Sequence, residues 1–280
     1  ELRGRKKRLL HFGRIIQLAE GSNRITVEAV DGRGRPGKQV VTLVRKTPRA
    51  RQIGSRLTLS VYPFAETIKS AEPLERYVQS SLIHAFVNQE RFNILERHKL
   101  ERLLQEQKIS RSAVFDQDQA VSLGRLMAAE TILLGDLFVK DGSVEVIARM
   151  VDTGSSLVLA EKDAYWEAGT AAGLRETLDG LALKFKQHFP LCEGEVIDRK
   201  DGAVFVNLGT RNAVSSGMRL LSFKENGAVT NRITGAAVGS DTTITGLLTT
   251  EEVHEAFSKT TVVKRFTADR IVVGDKVITK

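Results

Sequence analysis

Hydrophobic and polar positions change their period along this chain, and the changes divide it into segments. Leu57, Leu59 and Val61 alternate with Thr58 and Ser60, the period of a strand. From Pro73 the spacing lengthens: Leu74, Tyr77, Val78, Leu82, Ala85 and Phe86 fall on one face of a helix. A short strand over Arg91–Arg97 and a short amphipathic helix over Lys99–Gln107 follow, and Asp116 is placed to cap a third helix reaching Ala128. Residues 132–139 and 143–151 are expected to pair as a hairpin across Asp141-Gly142, a dipeptide suited to a tight turn. Leu157–Ala160 adds a strand. A last helical stripe of Leu174, Leu178, Leu181, Ala182 and Phe185 runs from Thr170 to Phe189, where Pro190 ends it.

The flanks carry a different pattern. Phe12 to Val44 reads as three short strands, with Ile25, Val27 and Ala29 alternating inward and a turn at Asp31-Gly32. Lys46–Arg56 is polar and aperiodic and reads as a linker. From Gly194 onward, strand-sized apolar runs recur between turns, at 195–197, 203–207, 218–223, 243–248, 260–264 and 275–278. Residues 225–242, rich in Gly, Asn and Thr, read as a mobile loop. The expected fold class is α/β: a mixed α+β central domain with helices packed on a mixed sheet, a small all-β barrel, and a short amino-terminal β segment. The expected boundaries are 1–46, 47–56, 57–190 and 191–280.

Charge sharpens the picture. Residues 1–56 hold 15 Lys and Arg against four Asp and Glu, while the whole chain carries a net charge of +8. The basic excess is local, and a local positive field attracts anions. Arg3, Arg5, Lys6, Lys7, Arg8, Arg33, Arg35 and Lys38 are the candidate anion- or partner-binding residues. No aromatic side chains interleave with Arg3–Arg8 for base stacking, so a solvated flank is favoured over nucleic acid there. No catalytic constellation is legible, and neither a metal site nor a cofactor is expected. The glycines of Gly32–Gly37 lack a following Lys-Ser/Thr pair and a helix, which argues against a phosphate loop. Asp116 and Asp118 are better explained as helix-start residues than as an acid pair. Asp141 and Asp152 are assigned to turns, His84 to a helix surface and His98 to a helix start. Cys192, the one cysteine, cannot form a disulfide within the chain. Tyr165 and Trp166 are expected in the core rather than at an interface. Glu1 opens the chain without methionine, an apolar signal core or a lipid-attachment cysteine nearby, so targeting information is expected to have been removed from it.

The run Arg91-Phe-Asn-Ile-Leu-Glu-Arg-His-Lys-Leu-Glu-Arg-Leu-Leu-Gln-Glu-Gln107, then Leu123–Leu137, then Val146–Lys162 with its Val151-Asp-Thr-Gly-Ser155, resembles the CsgG-like family of curli secretion channels. That family takes in the penicillin-binding-protein activator lipoproteins and is similar to the amino-terminal domain of TolB. The likeness covers about residues 57–188. Curli channels insert long membrane-spanning hairpins into this scaffold; neither short connection here has room for one, so the soluble relatives fit better. Gly194–Phe223 and Val273-Gly-Asp-Lys-Val-Ile278 resemble the carboxy-terminal barrel of flagellar assembly protein FlgT, with Asn207-Leu-Gly209 and Gly217-Met218 in the expected places. Asn212-Ala213 departs from it where glycine is frequent. Leu18–Gly34 is similar to the closing strands of a bacterial immunoglobulin-like domain, although a sandwich needs about seven strands. These resemblances imply a non-enzymatic periplasmic scaffold, on the outer-membrane side of a bacterial envelope assembly for secretion, flagella or cell-wall synthesis. They imply a homo-oligomeric ring with envelope protein partners, membrane association through partners or an anchor outside this chain, and no role for nucleic acid. An anion- or nucleic-acid-binding module is the alternative.

Overall fold

The computed structural model describes residues 19, 21–31, 33–45, 49–66, 74–106, 116–167, 170–230 and 237–280. The chain divides into two compact units: residues 1–49 with 225–243, and residues 50–224 with 244–280.

The larger unit holds a six-stranded mixed sheet. Its strands are β3 (Thr58–Val61), β4 (Ala65–Glu66), β5 (Asn93–Ile94), β6 (Thr131–Lys140), β7 (Ser143–Asp152) and β8 (Val158–Trp166), in the order β5-β3-β6-β7-β8 with β4 beside β6. Pairing is parallel among β3, β4, β5 and β6 and antiparallel from β6 to β8. The β6–β7 hairpin turns at Asp141 (φ 51°) and Gly142 (φ 81°), the two positive-φ positions that an Asp-Gly turn supplies. Helices α1 (Glu75–Gln89) and α4 (Ala171–His188) cover one face. Val78, Leu82 and Phe86 of α1 and Leu178, Leu181 and Phe185 of α4 close over Leu59, Val61, Leu133 and Val146. On the other face, α2 (Arg97–Glu106) and α3 (Gln117–Leu126) bring Leu100, Leu104, Ala120 and Leu123 onto Tyr62, Ile132, Leu134 and Val151. Asp116 caps α3 by accepting the Gln119 N–H at 2.9 Å, and Thr170 caps α4 by accepting that of Gly173 at 3.3 Å.

The barrel follows: β9 (Glu193–Lys200), β10 (Ala203–Val206), β11 (Arg219–Thr230), β12 (Ala237–Val253), β13 (Ser258–Arg265) and β14 (Lys276–Thr279), closed in the order β10-β13-β12-β11-β14-β9. Its Val196, Val204, Leu220, Leu248 and Val277 belong to the same apolar cluster as the α1–α4 face, so sheet and barrel share one core.

In the smaller unit, β1 (Gly21–Val30) and β2 (Pro36–Arg45) form an antiparallel hairpin.

The sequence expectations hold for the fold class and most element positions, with four corrections. The expected strand over Arg91–Arg97 contracts to β5, because β5 is an edge strand bonded only to the start of β3, and Arg97 already begins α2. The supposed linker contains two 3-10 turns, Arg49–Arg51 and Ile53–Ser55, and buries Ala50 against Leu221, Phe223, Leu247 and Ile278; turns of three residues leave no periodic signal. Residues 225–230 and 237–242 are strand, not loop; a threonine-rich composition is also β-branched and suits extended backbone. Of three expected amino-terminal strands, two are found and the first lies outside the described residues; Ile25 and Val27 are half-buried but Ala29 is exposed.

Candidate interaction surfaces

The basic residues singled out in the sequence have different fates. Arg3, Arg5, Lys6, Lys7 and Arg8 lie outside the described residues. Arg35 and Lys38 are each held by a neighbouring carboxylate, Asp31 at 2.8 Å and Glu28 at 2.8 Å. Asp31 also accepts the Arg33 and Arg35 backbone N–H groups at 2.8 and 2.9 Å, which holds its pKa below the ordinary aspartate value. The turn chemistry of Asp31 therefore consumes part of the charge that the sequence count places there.

A denser cluster, not read from the sequence, lies inside the larger unit where barrel meets sheet. Arg219, at the start of β11, binds Asp152 at the end of β7 and reaches Glu130 at 3.3 Å; Lys280 also binds Glu130. Asp152 keeps its expected turn role by accepting the Ser155 N–H at 2.7 Å, and adds the ion pair to it. Beside this cluster Arg91 is 3% exposed. Its guanidinium donates to the carbonyls of Phe189, Pro190 and Lys280, closing the end of α4 and the end of β14 onto the start of β5. Burial, reinforced by the nearby positive charge of Arg56, pulls the Arg91 pKa down to about 10. A cavity of about 30 Å³ lies here, lined in part by Leu57, Arg91, Asp152, Arg219 and Lys280. That is the room of about one water molecule. The arrangement ties two layers together.

The sheet offers a surface of another kind. Among the described residues, α2 and α3 pack on Tyr62, on Ile132 and Leu134 in the first half of β6, and on Val151 at the end of β7. Across β6, β7 and β8, the cross-strand rows Phe138–Glu145–Tyr165 and Asp136–Ile147–Asp163 continue beyond them. Glu145, Glu161 and Asp163 are exposed there, and Tyr165 is 59% exposed. Arg149 pairs with Asp136 at 3.2 Å. The core placement expected for Tyr165 is thereby corrected, because the β8 alternation turns it away from the α4 side. Trp166, one residue on, is half-buried and packs against the core. The outer edge of β8 is guarded: Lys184 of α4 donates to the Asp163 carbonyl at 2.7 Å.

Cys192 is half-buried and its thiol donates to the Asn212 carbonyl at 3.2 Å; burial raises its pKa, against the opposing pull of Arg91. His84 is exposed and lies 3.0 Å from Asn88 and 3.1 Å from Arg175. The His98 side chain lies outside the described ones. Among the described residues no group of His, Cys, Asp and Glu is arranged to hold a metal, and no helix is long and apolar enough to cross a membrane.

A family model described as "Curli production assembly/transport component CsgG" matches residues 53–159, which span β3 to the start of β8. No curated protein matches the chain. Among solved structures, the LpoB C-terminal domain from Salmonella enterica is 11% identical, with 42% of this chain and 89% of that one covered and a TM-score of 0.35. Lipoprotein GNA1162 from Neisseria meningitidis is 14% identical, with 47% and 96% covered and a TM-score of 0.37. A PelC dodecamer from Paraburkholderia phytofirmans is 10% identical, with 59% and 95% covered and a TM-score of 0.33. By the family match, the α/β layer is similar to CsgG from β3 to the start of β8.

Proposed function

We propose that this chain is a periplasmic scaffold of a bacterial envelope assembly, acting through protein contacts and packing side by side into a homo-oligomer. The observation that carries the reading is the curli assembly family match over residues 53–159, which takes in β6 and β7 of the sheet face and stops at the start of β8. This face mixes exposed Tyr165 and half-buried Phe138 and Ile147 with carboxylates, a combination of apolar area and charge that suits a contact surface. We read the barrel as FlgT-like and the β1–β2 hairpin as part of an immunoglobulin-like domain, on the motifs quoted above; both would serve the same scaffolding role. The tight Asp141-Gly142 turn supports a soluble scaffold over a channel hairpin at that point.

Mass photometry and light scattering at micromolar concentration test the oligomer. A concentration-dependent assembly is expected, weakened by Tyr165→Glu; a strict monomer at all concentrations counts against the reading. The second reading, an anion- or nucleic-acid-binding module, rests on the basic excess of residues 1–56. It requires retention of nucleic acid on a filter at low salt and steep loss with added salt. With Arg35 and Lys38 already neutralised by carboxylates, the weight of that reading falls on Arg3, Arg5, Lys6, Lys7, Arg8 and Arg33.

A further inference from the structure

Between the end of β13 and the start of β14 the chain treats apolar side chains unlike the rest of the barrel. Val263 is 58% exposed, Phe266 48%, Val272 45% and Val273 59%, while Ile271 among them is 2% exposed and packs into the core. The backbone that carries them is held at several points. The Phe266 N–H donates to Thr245 O at 3.0 Å, Gly274 N–H to Val196 O at 2.9 Å, and Asp275 N–H to Val272 O at 3.1 Å. The Asp275 carboxylate accepts the Val272 N–H at 3.0 Å. Ile271 is turned in and its neighbours are turned out by a fixed loop. Ile197, which follows the Val196 carbonyl that holds Gly274, is also exposed.

Charge on this stretch is one-sided. Lys264, Arg265 and Arg270 are exposed and have no ion-pair partner among the described residues. Elsewhere on the barrel Lys259, Lys276 and Arg211 are paired, with Glu252, Glu195 and Glu255. The two acids of the stretch are both occupied, Asp269 by Lys224 at 3.4 Å and the buried Asp275 by the loop itself. The Lys264 ammonium lies 5.5 Å from the centre of the Phe266 ring, so a cation rides beside the one aromatic group of the stretch.

Outward aromatic and branched aliphatic side chains among unpaired cations match a surface that offers apolar depth and dense negative charge together. A layer of anionic lipid headgroups is such a surface. We propose that the Val263–Val273 face docks on an anionic lipid bilayer, with Phe266, Val272 and Val273 entering the headgroup region and Lys264, Arg265 and Arg270 set against the phosphates.

The basic amino-terminal segment is a separate source of attraction to such vesicles, so the test compares variants of the loop alone. The full chain is floated with phosphatidylcholine vesicles made with or without phosphatidylglycerol. Binding is expected only when phosphatidylglycerol is present. The double substitution Phe266→Ser with Val273→Ser should weaken it about tenfold, through lost apolar insertion. The triple substitution Lys264→Gln, Arg265→Gln and Arg270→Gln should weaken it about a hundredfold. Circular dichroism and thermal unfolding of both should match the parent, since every altered side chain is exposed. No flotation of the parent chain, or parent-like flotation of both variants, overturns the proposal; the latter outcome assigns the attraction to the amino-terminal basic residues.

Discussion

Ala213 has φ 54°, in the left-handed region where a Cβ crowds the following carbonyl, and it closes the Thr210–Asn212 turn. Ala213→Gly should therefore stabilise the protein by about 0.5–1 kcal/mol, relief of the left-handed strain outweighing the entropy of the freer unfolded chain. Denaturant unfolding with an unchanged slope would check it. His188 works through protonation. Burial, and then the positive charge of Lys162, lower its pKa below 6.5, against a hydrogen bond to the Leu159 carbonyl that raises it. The unfolded chain then takes up the proton first as pH falls, so this residue lowers stability through a window starting at its unfolded pKa of about 6.5 and ending at its lower folded value. His188→Gln should flatten the loss of stability in that window, read as melting temperature against pH. Such effects leave almost no sequence trace: the φ of Ala213 is set by the turn it closes, and the environment of His188 comes from β8 and depends on tertiary packing.

At the scale of elements, the β6–β7 register is locked by a close approach. A Cβ on Gly135 would stand 2.2 Å from the Ile147 carbonyl oxygen and 2.3 Å from the Phe64 ring. Phe64 is fully buried, so the ring has little room to withdraw. Gly135→Ala should cost about 3 kcal/mol, at the upper end of overpacking penalties, and urea titration would measure it. Period and turn chemistry made this hairpin legible: the alternation of β6 and β7 and the Asp141-Gly142 pair are written in adjacent residues. The same holds for the apolar stripes of α1, α3 and α4 and for the capping residues Asp116 and Thr170, which are local. The docked turns around Ala50 and the strand arms beyond Lys224 escaped notice because their cause is not local. Ala50 is recognisable only beside Phe223, and threonine-rich segments carry turn and strand signals at once.

For the larger unit, the decisive contacts are those that sequence separation hides. Asp152 and Arg219 each look like a surface or turn residue in their own segment, and nothing nearby announces that they meet. Replacing Arg219 with Met leaves Asp152, 5% exposed, beside Glu130 without its main counter-charge. The expected cost is about 2–3 kcal/mol, below that of a fully buried orphan because the Arg219 and Glu130 side chains are 20% and 21% exposed. A double substitution Asp152→Asn with Arg219→Met should recover part of it, and a double-mutant cycle would read the coupling. The candidate site was legible only in part. The basic run was evident from composition, but the open sheet face needed the coverage of α2 and α3 to be known, and the loop at Val263–Val273 needed the direction of each side chain.

The first and last strands of the barrel are neighbours: Cys192 donates its N–H to the Thr279 hydroxyl at 2.8 Å, and the Thr279 N–H donates to the Cys192 carbonyl at 2.9 Å. The strand that opens the barrel is thus zipped to the strand that closes it, and Arg91 latches both to the α/β layer. Wiring of this sort makes the barrel a cassette. A different small closed sheet spliced in here would have to end on a carbonyl for that guanidinium, bring cations to Asp152 and Glu130, and offer an apolar flank to the shared core.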